Sequence, residues 1–399
     1  MRTKGWLLGL LALAMLLLAA CNLGKEKPAA SVIIDPNAVA TSVAATLAAE
    51  LASNPAPTET LPAILPHSVY FLSSASGSPQ VWRLGVDGHT PQQFSDEPAG
   101  VDYFDVSRAD GRVAVVSGNR LLLLSADASE RSVLVDASGN DTEALDYRYR
   151  GVISEPRFSP DGGTLAYGLG GVNLLDPDSG ESRLVLVSNV DESDVGAVRP
   201  GELFFPEAWS PDGKRLLVSI GFLEGGSLGV LDAESGEFTA LQAQGILCCH
   251  PAWAPDSQSV VVASPYYGII TPGLWRYAAD TGTQRVLAPG VDATESYHFF
   301  GWPLDTGNEL FYFYASSAGF PDGTLPLRMA RSDTDGVSNR VELSEERFSI
   351  RESLWVEDGS LALIVEAAEK GSGPLLLVNP AEGQVQVLSP EAEHLRWGP

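Results

Sequence analysis

The chain has 399 residues and 42.2 kDa, of which 44% are hydrophobic and 19% charged, the composition of a folded globular protein. Its 25 Lys and Arg face 51 Asp and Glu for a net charge of −26, and no basic cluster is present, which excludes recognition of a nucleic-acid backbone and electrostatic docking on anionic lipid. Three cysteines are too few for a disulfide scaffold, and 40 Gly with 27 Pro predict many turns.

At the N-terminus, Arg2 and Lys4 precede an apolar run from Trp6 to Ala20. The run is too short to cross a membrane as a helix, and its positive flank marks a signal peptide. It ends Leu18-Ala19-Ala20-Cys21, which resembles the bacterial lipobox. That resemblance implies cleavage before Cys21, acylation of Cys21 by palmitate-type chains, and a lipid anchor on the outside of a bacterial membrane. The predicted organisation is a signal over 1–20, a lipidated Cys and flexible Ala/Pro-rich tether over 21–66, and one domain over 67–399. Removing Arg2 and Lys4 with the signal takes the net charge to −28.

Within the tether, Asp35-Pro36 is a helix start, and Val39, Val43, Leu47 and Leu51 recur every four residues. Asn54-Pro55-Ala56-Pro57 stops that stripe. The stripe is expected to be a spacer, with a partner-binding helix as the alternative.

The remainder is a repeat. Its clearest copies are Phe158-Ser159-Pro160-Asp161-Gly162, Trp209-Ser210-Pro211-Asp212-Gly213 and Trp253-Ala254-Pro255-Asp256. Weaker copies surround Asp110, Asp305 and Asp358, so that successive Asp residues lie 44 to 53 residues apart. Pro, Asp and Gly in this order are turn chemistry, and a β run follows each turn. A second set of turns runs half a repeat out of phase, at Asp87-Gly88, Asp178-Ser179-Gly180, Glu234-Ser235-Gly236, Asp280-Thr281-Gly282, Asp335-Gly336 and Glu382-Gly383. Ala126-Asp127-Ala128 is a degenerate member. Each repeat therefore supplies about four antiparallel strands.

These turns, with an aromatic before and a strand after, resemble the TolB-like, WD-repeat-like β-propellers over nearly all of 67–399. The seven hairpin signals imply an all-β, single seven-bladed β-propeller, expected to act as a monomer. TolB itself is described with six blades, so seven is a departure, and six or eight are the alternatives. The first blade lacks an aromatic-turn strand before it. Trp397 lies 42 residues after Trp355, where another repeat would begin. The C-terminal strand is thus expected to complete the first blade and leave no open sheet edge.

Motifs with chemical meaning are few. Gly225-Gly226-Ser227-Leu228-Gly229 fits G-x-S-x-G, but it sits among β runs with no βαβ unit to make a nucleophile elbow. Asp176/Asp178 and Asp333/Asp335 begin like calcium loops but lack the closing Glu, and turn chemistry accounts for them.

The stronger candidate is the strand entering each blade, which in propellers lines the central channel. His250, His298 and His394 fall there, with Glu155, Glu207, Arg351, Glu352 and Glu393. Three imidazoles with carboxylates are a transition-metal donor set, so one expectation is a divalent metal at the channel mouth serving a lyase or hydrolase. The preferred expectation is a polar mouth that binds an envelope protein, peptide or glycan without cofactor or catalysis. A purely structural scaffold is the third. Cys248-Cys249, beside His250, can form a strained vicinal disulfide or remain two thiols. Tyr147, Tyr149, Tyr266, Tyr267 and Phe320 put aromatics on the longer loops, to bind or to pack.

Overall fold

The computed structural model describes residues 63–144, 146–192, 198–222, 225–241, 250–265, 272–291, 296–317, 326–368 and 372–399. The signal, Cys21, the tether stripe, Cys248, Cys249, Tyr266, Tyr267 and Phe320 lie outside them.

Each four-stranded sheet follows from its turns. In the sheet of Ser154–Phe158, Leu165–Gly168, Gly171–Leu175 and Ser182–Val187, the first connection is the Ser-Pro-Asp-Gly turn. Ser159 Oγ donates to Asp161 Oδ1 at 2.6 Å, and Asp161 Oδ1 also accepts the Gly163 N–H at 3.0 Å. Ser159 Oγ in turn accepts the Thr164 N–H at 2.9 Å, and Gly162 takes the left-handed conformation at φ 73°. Ser210, Asp212 and Gly213 repeat this arrangement bond for bond. These bonds hold the Asp161 and Asp212 carboxyls below their ordinary range, with the serine hydroxyl the largest contributor in each. In the third copy Ser257 replaces the glycine and accepts φ 61°.

The hairpin turns use the same chemistry. Asp176 Oδ1 accepts the Asp178 and Ser179 N–H groups, and Asp335 Oδ1 accepts those of Val337 and Ser338. The calcium-like spacings are thereby employed as turns. Gly225–Asp232, which carries G-x-S-x-G, is the third strand of its sheet and pairs antiparallel with Arg215–Phe222.

Further four-stranded sheets begin at Tyr103–Val106, Leu203–Trp209, Pro251–Trp253 and Ser296–Asp305. The last sheet has seven strands because one strand serves two groups. Gln384–Trp397 pairs with Gly373–Asn379 through residues 384–392 and with Val69–Ser73 through 393–397. The expected closure by the C-terminal strand is therefore present. Leu395 and Trp397 bury there against Val69, Phe71 and Leu84.

The innermost strands contact one another in a closed order, from Gln384–Trp397 to Tyr103–Val106 and onward through Ile350–Trp355 back to Gln384–Trp397. The repeat aromatics bind this order together. Trp209 Nε1 donates to the Arg157 carbonyl at 2.9 Å, and Trp253 Nε1 to that of Ala208 at 3.0 Å. Trp355 Nε1 donates to the Trp302 carbonyl at 2.8 Å, and Trp397 Nε1 to that of Trp355 at 3.0 Å. Each indole packs between two sheets and satisfies its one donor on the neighbour. Among the described residues, no helix is long and apolar enough to cross a membrane.

Candidate functional site

The innermost strands do not run straight. Register shifts interrupt them between Ser154 and Arg157, Pro206 and Ala208, Phe300 and Leu304, Ile350 and Glu352, and Tyr70 and Leu72 where the closing strand pairs. Glu155, His250 and His394 occupy one repeat position, three before the aromatic, and all have positive φ, 45°, 48° and 56°. A side chain in the left-handed region costs about 1–2 kcal/mol, so the surrounding fold imposes this conformation.

Around these bulges the structure gathers a charged network. Arg157 Nη2 donates to Glu155 Oε2 at 2.5 Å, and its Nε donates to the Glu207 carbonyl of the next sheet at 2.7 Å. Arg396 Nε donates to Asp105 Oδ1 at 2.9 Å, while Asp105 Oδ2 accepts the Phe158 N–H at 2.7 Å. One carboxylate thus ties the closing strand to both following sheets. Glu352 accepts two successive N–H groups of the closing strand, from His394 and Leu395, each at 2.7 Å. Both its oxygens are engaged by backbone, which makes it a clasp on the closure. Arg351 reaches Glu393 at 3.5 Å on the exposed rim.

Burial dominates the titration of these groups. It raises the Glu207 carboxyl, opposed by Arg157 and Arg396 and helped by Glu155. It likewise raises Glu352 against Arg396 and the two backbone donors. Burial, helped by the charge of Arg396, lowers His394 to about 4. His394 is therefore neutral at neutral pH.

Six of the eight residues expected at the mouth, Glu155, Glu207, Arg351, Glu352, Glu393 and His394, belong to this network. The metal expectation asks for three imidazoles at one point. Among the described residues, no three His, Cys, Asp or Glu side chains are grouped so as to hold a metal ion, and His250, His298 and His394 do not converge. His250 lies in a different sector, packed edge-on against Phe300 at 4.3 Å and Trp302 at 4.5 Å between ring centroids. Burial lowers it to about 4. His298 is buried, and burial lowers it too. In its strand the left-handed residue is Gly301, one before Trp302, so the bulge falls away from the histidine.

Sequence reasoning passed over Asp105, Arg157 and Arg396. A signal existed, since all three stand immediately before the repeat's aromatic or its Val106 equivalent. On the loops, Tyr147–Gly151 forms a single π-helical turn with no buried residue, and Arg148 stacks on Tyr149 at 4.6 Å.

No family model matches the chain. An uncharacterized protein of Agrobacterium fabrum, Atu1656, is 31% identical over 110 residues, which is 25% of this chain and 35% of that protein. The chain thus spans about a third of the length of the curated relative it matches. Among solved structures, a puromycin hydrolase is similar with TM-score 0.54 and 15% identity, over 83% of this chain and 53% of that one. An oligogalacturonate lyase in complex with manganese has TM-score 0.52 and 15% identity, over 81% and 85%. TolB from Acinetobacter baumannii has TM-score 0.41 and 14% identity, over 73% and 67%. At such identities the likeness is one of fold alone, and the closed order of four-stranded sheets makes that fold an all-β propeller.

Proposed function

We propose that the protein is a lipid-anchored, extracytoplasmic binding propeller of seven blades, whose channel mouth takes a protein, peptide or glycan ligand. The observation that carries this reading is the convergence of Glu155, Arg157, Glu207, His394 and Arg396 from successive innermost strands, two of them at bulges with positive φ. Strained, half-buried charged groups at one end of a rigid ring are suited to recognition. The blade count is supported by the closed order of innermost strands, with the closing strand shared between the last blade and the first. The envelope location rests on the Arg2/Lys4 flank, the apolar run and Cys21.

Binding is preferred to metal-assisted catalysis because the described imidazoles are dispersed and the Glu352 carboxylate is engaged by backbone. The test is a screen of the full-length protein in detergent against peptide and glycan libraries. Saturable binding is expected, weakened at least about ten-fold by Glu155→Arg in a variant with unchanged circular dichroism. Absence of any saturable ligand, or binding indifferent to both Glu155→Arg and Arg351→Glu, would overturn the reading.

A further inference from the structure

The mouth has two chemically different sides. One side, from successive sheets, carries guanidinium–carboxylate pairs, with Arg157 joined to Glu155 and to the Glu207 backbone. The neighbouring side carries His250 enclosed by Phe300 and Trp302. The two meet where Trp253 Nε1 donates to the carbonyl of Ala208, the residue after Glu207. Glu207, His250, Phe300 and Trp302 all keep partial exposure, and Pro251–Trp253, which follows His250, contacts both Leu203–Trp209 and Ser296–Asp305.

His250 adds an independent observation. Its Nδ1 is buried and has no hydrogen-bond partner among the described residues. The rings of Phe300 and Trp302 flank the imidazole and offer no conventional partner at these contacts. A buried ring nitrogen left in this way keeps an uncompensated desolvation penalty, which a ligand hydroxyl would relieve.

Resting on the binding reading above, we propose that the mouth recognises a neutral saccharide. Its apolar ring face lies against Phe300 and Trp302, and its hydroxyls meet His250, Glu155, Arg157 and Glu207. A hydroxyl both donates and accepts, so it suits a surface that mixes carboxylates, guanidinium and imidazole. Arg157, the guanidinium beside Glu207, already faces Glu155, so a charged ligand would be desolvated without a matching countercharge. A sugar carries no such cost.

The test places full-length protein on an array of neutral oligosaccharides beside a peptide array, and measures each hit by titration calorimetry and tryptophan fluorescence. A neutral oligosaccharide should bind saturably and shift the tryptophan emission. Phe300→Ala and Glu155→Gln, on the two sides of the mouth, should each weaken it at least about ten-fold. If Phe300→Ala fails to fold, Glu155→Gln carries the comparison alone. Peptide binding at the mouth without saccharide binding would sink the saccharide and leave the binding reading standing. Binding of neither would sink both. Affinity at least about ten-fold higher for a polyanionic or polycationic ligand would also overturn the neutral assignment.

Discussion

At the scale of single residues, the bulges turn ordinary side chains into a site. His250 and His394 both titrate at about 4 when folded, against 6.5 for a free imidazole, with burial the main cause. Between these values the unfolded chain binds two more protons at these positions than the folded one. Their contribution to stability is therefore fully present above pH 6.5 and is lost as pH falls from 6.5 to 4. Each histidine accounts for up to roughly 3 kcal/mol of that loss. His250→Asn, which tolerates a positive φ, should flatten the fall in denaturation midpoint over this window. An unchanged slope would mean that His250 is not desolvated as described. Glu207 and Glu352 work in the opposite sense, because burial raises them. The variant comparison isolates the histidine from that background.

At the scale of elements, the closing strand carries more than its length implies. Gln384–Trp397 serves two sheets, and its second half places Leu395 and Trp397 in the core of the first. Glu352, Asp105 and the Trp355 carbonyl all bond to it. Deleting residues 392–399 removes these bonds and uncovers the edge of Val69–Ser73. Burial of one Leu and one Trp is worth about 5 kcal/mol, so the melting temperature should fall by about 10 °C or more. A truncated domain that melts like the intact one would show that closure lies elsewhere. This closure was legible in the sequence, because the interval from Trp355 to Trp397 is one repeat long. The network beside it was not. Arg157 bonds to a carbonyl 50 residues away, and Asp105 to a guanidinium 291 residues away. Such partners become neighbours only once the sheets stand side by side.

At the scale of the whole molecule, address and fold are separate devices. Part of the acidic excess behind the net charge of −26 sits in turns, where Asp161, Asp212, Asp232 and Asp335 spend their carboxylates on local hydrogen bonds. The proposed address is Cys21 with the apolar run before it. Cys21→Ala should abolish labelling by radioactive palmitate and move the protein out of the membrane fraction. Retention of label in that variant would remove Cys21 as the anchor.

The sequence by itself determined the repeat, its turns and the strand that closes it, because turn chemistry is read from four or five adjacent residues. It also collected the candidate mouth residues by their place in the repeat. Only the tertiary structure decided which of them meet. A bulge displaced by two positions sent His298 into the interior, packing drew His250 to Phe300 and Trp302, and Glu352 was taken up by backbone of the next strand. Equal spacing along a chain does not ensure equal direction in space, because one shift of register turns a side chain to the other face.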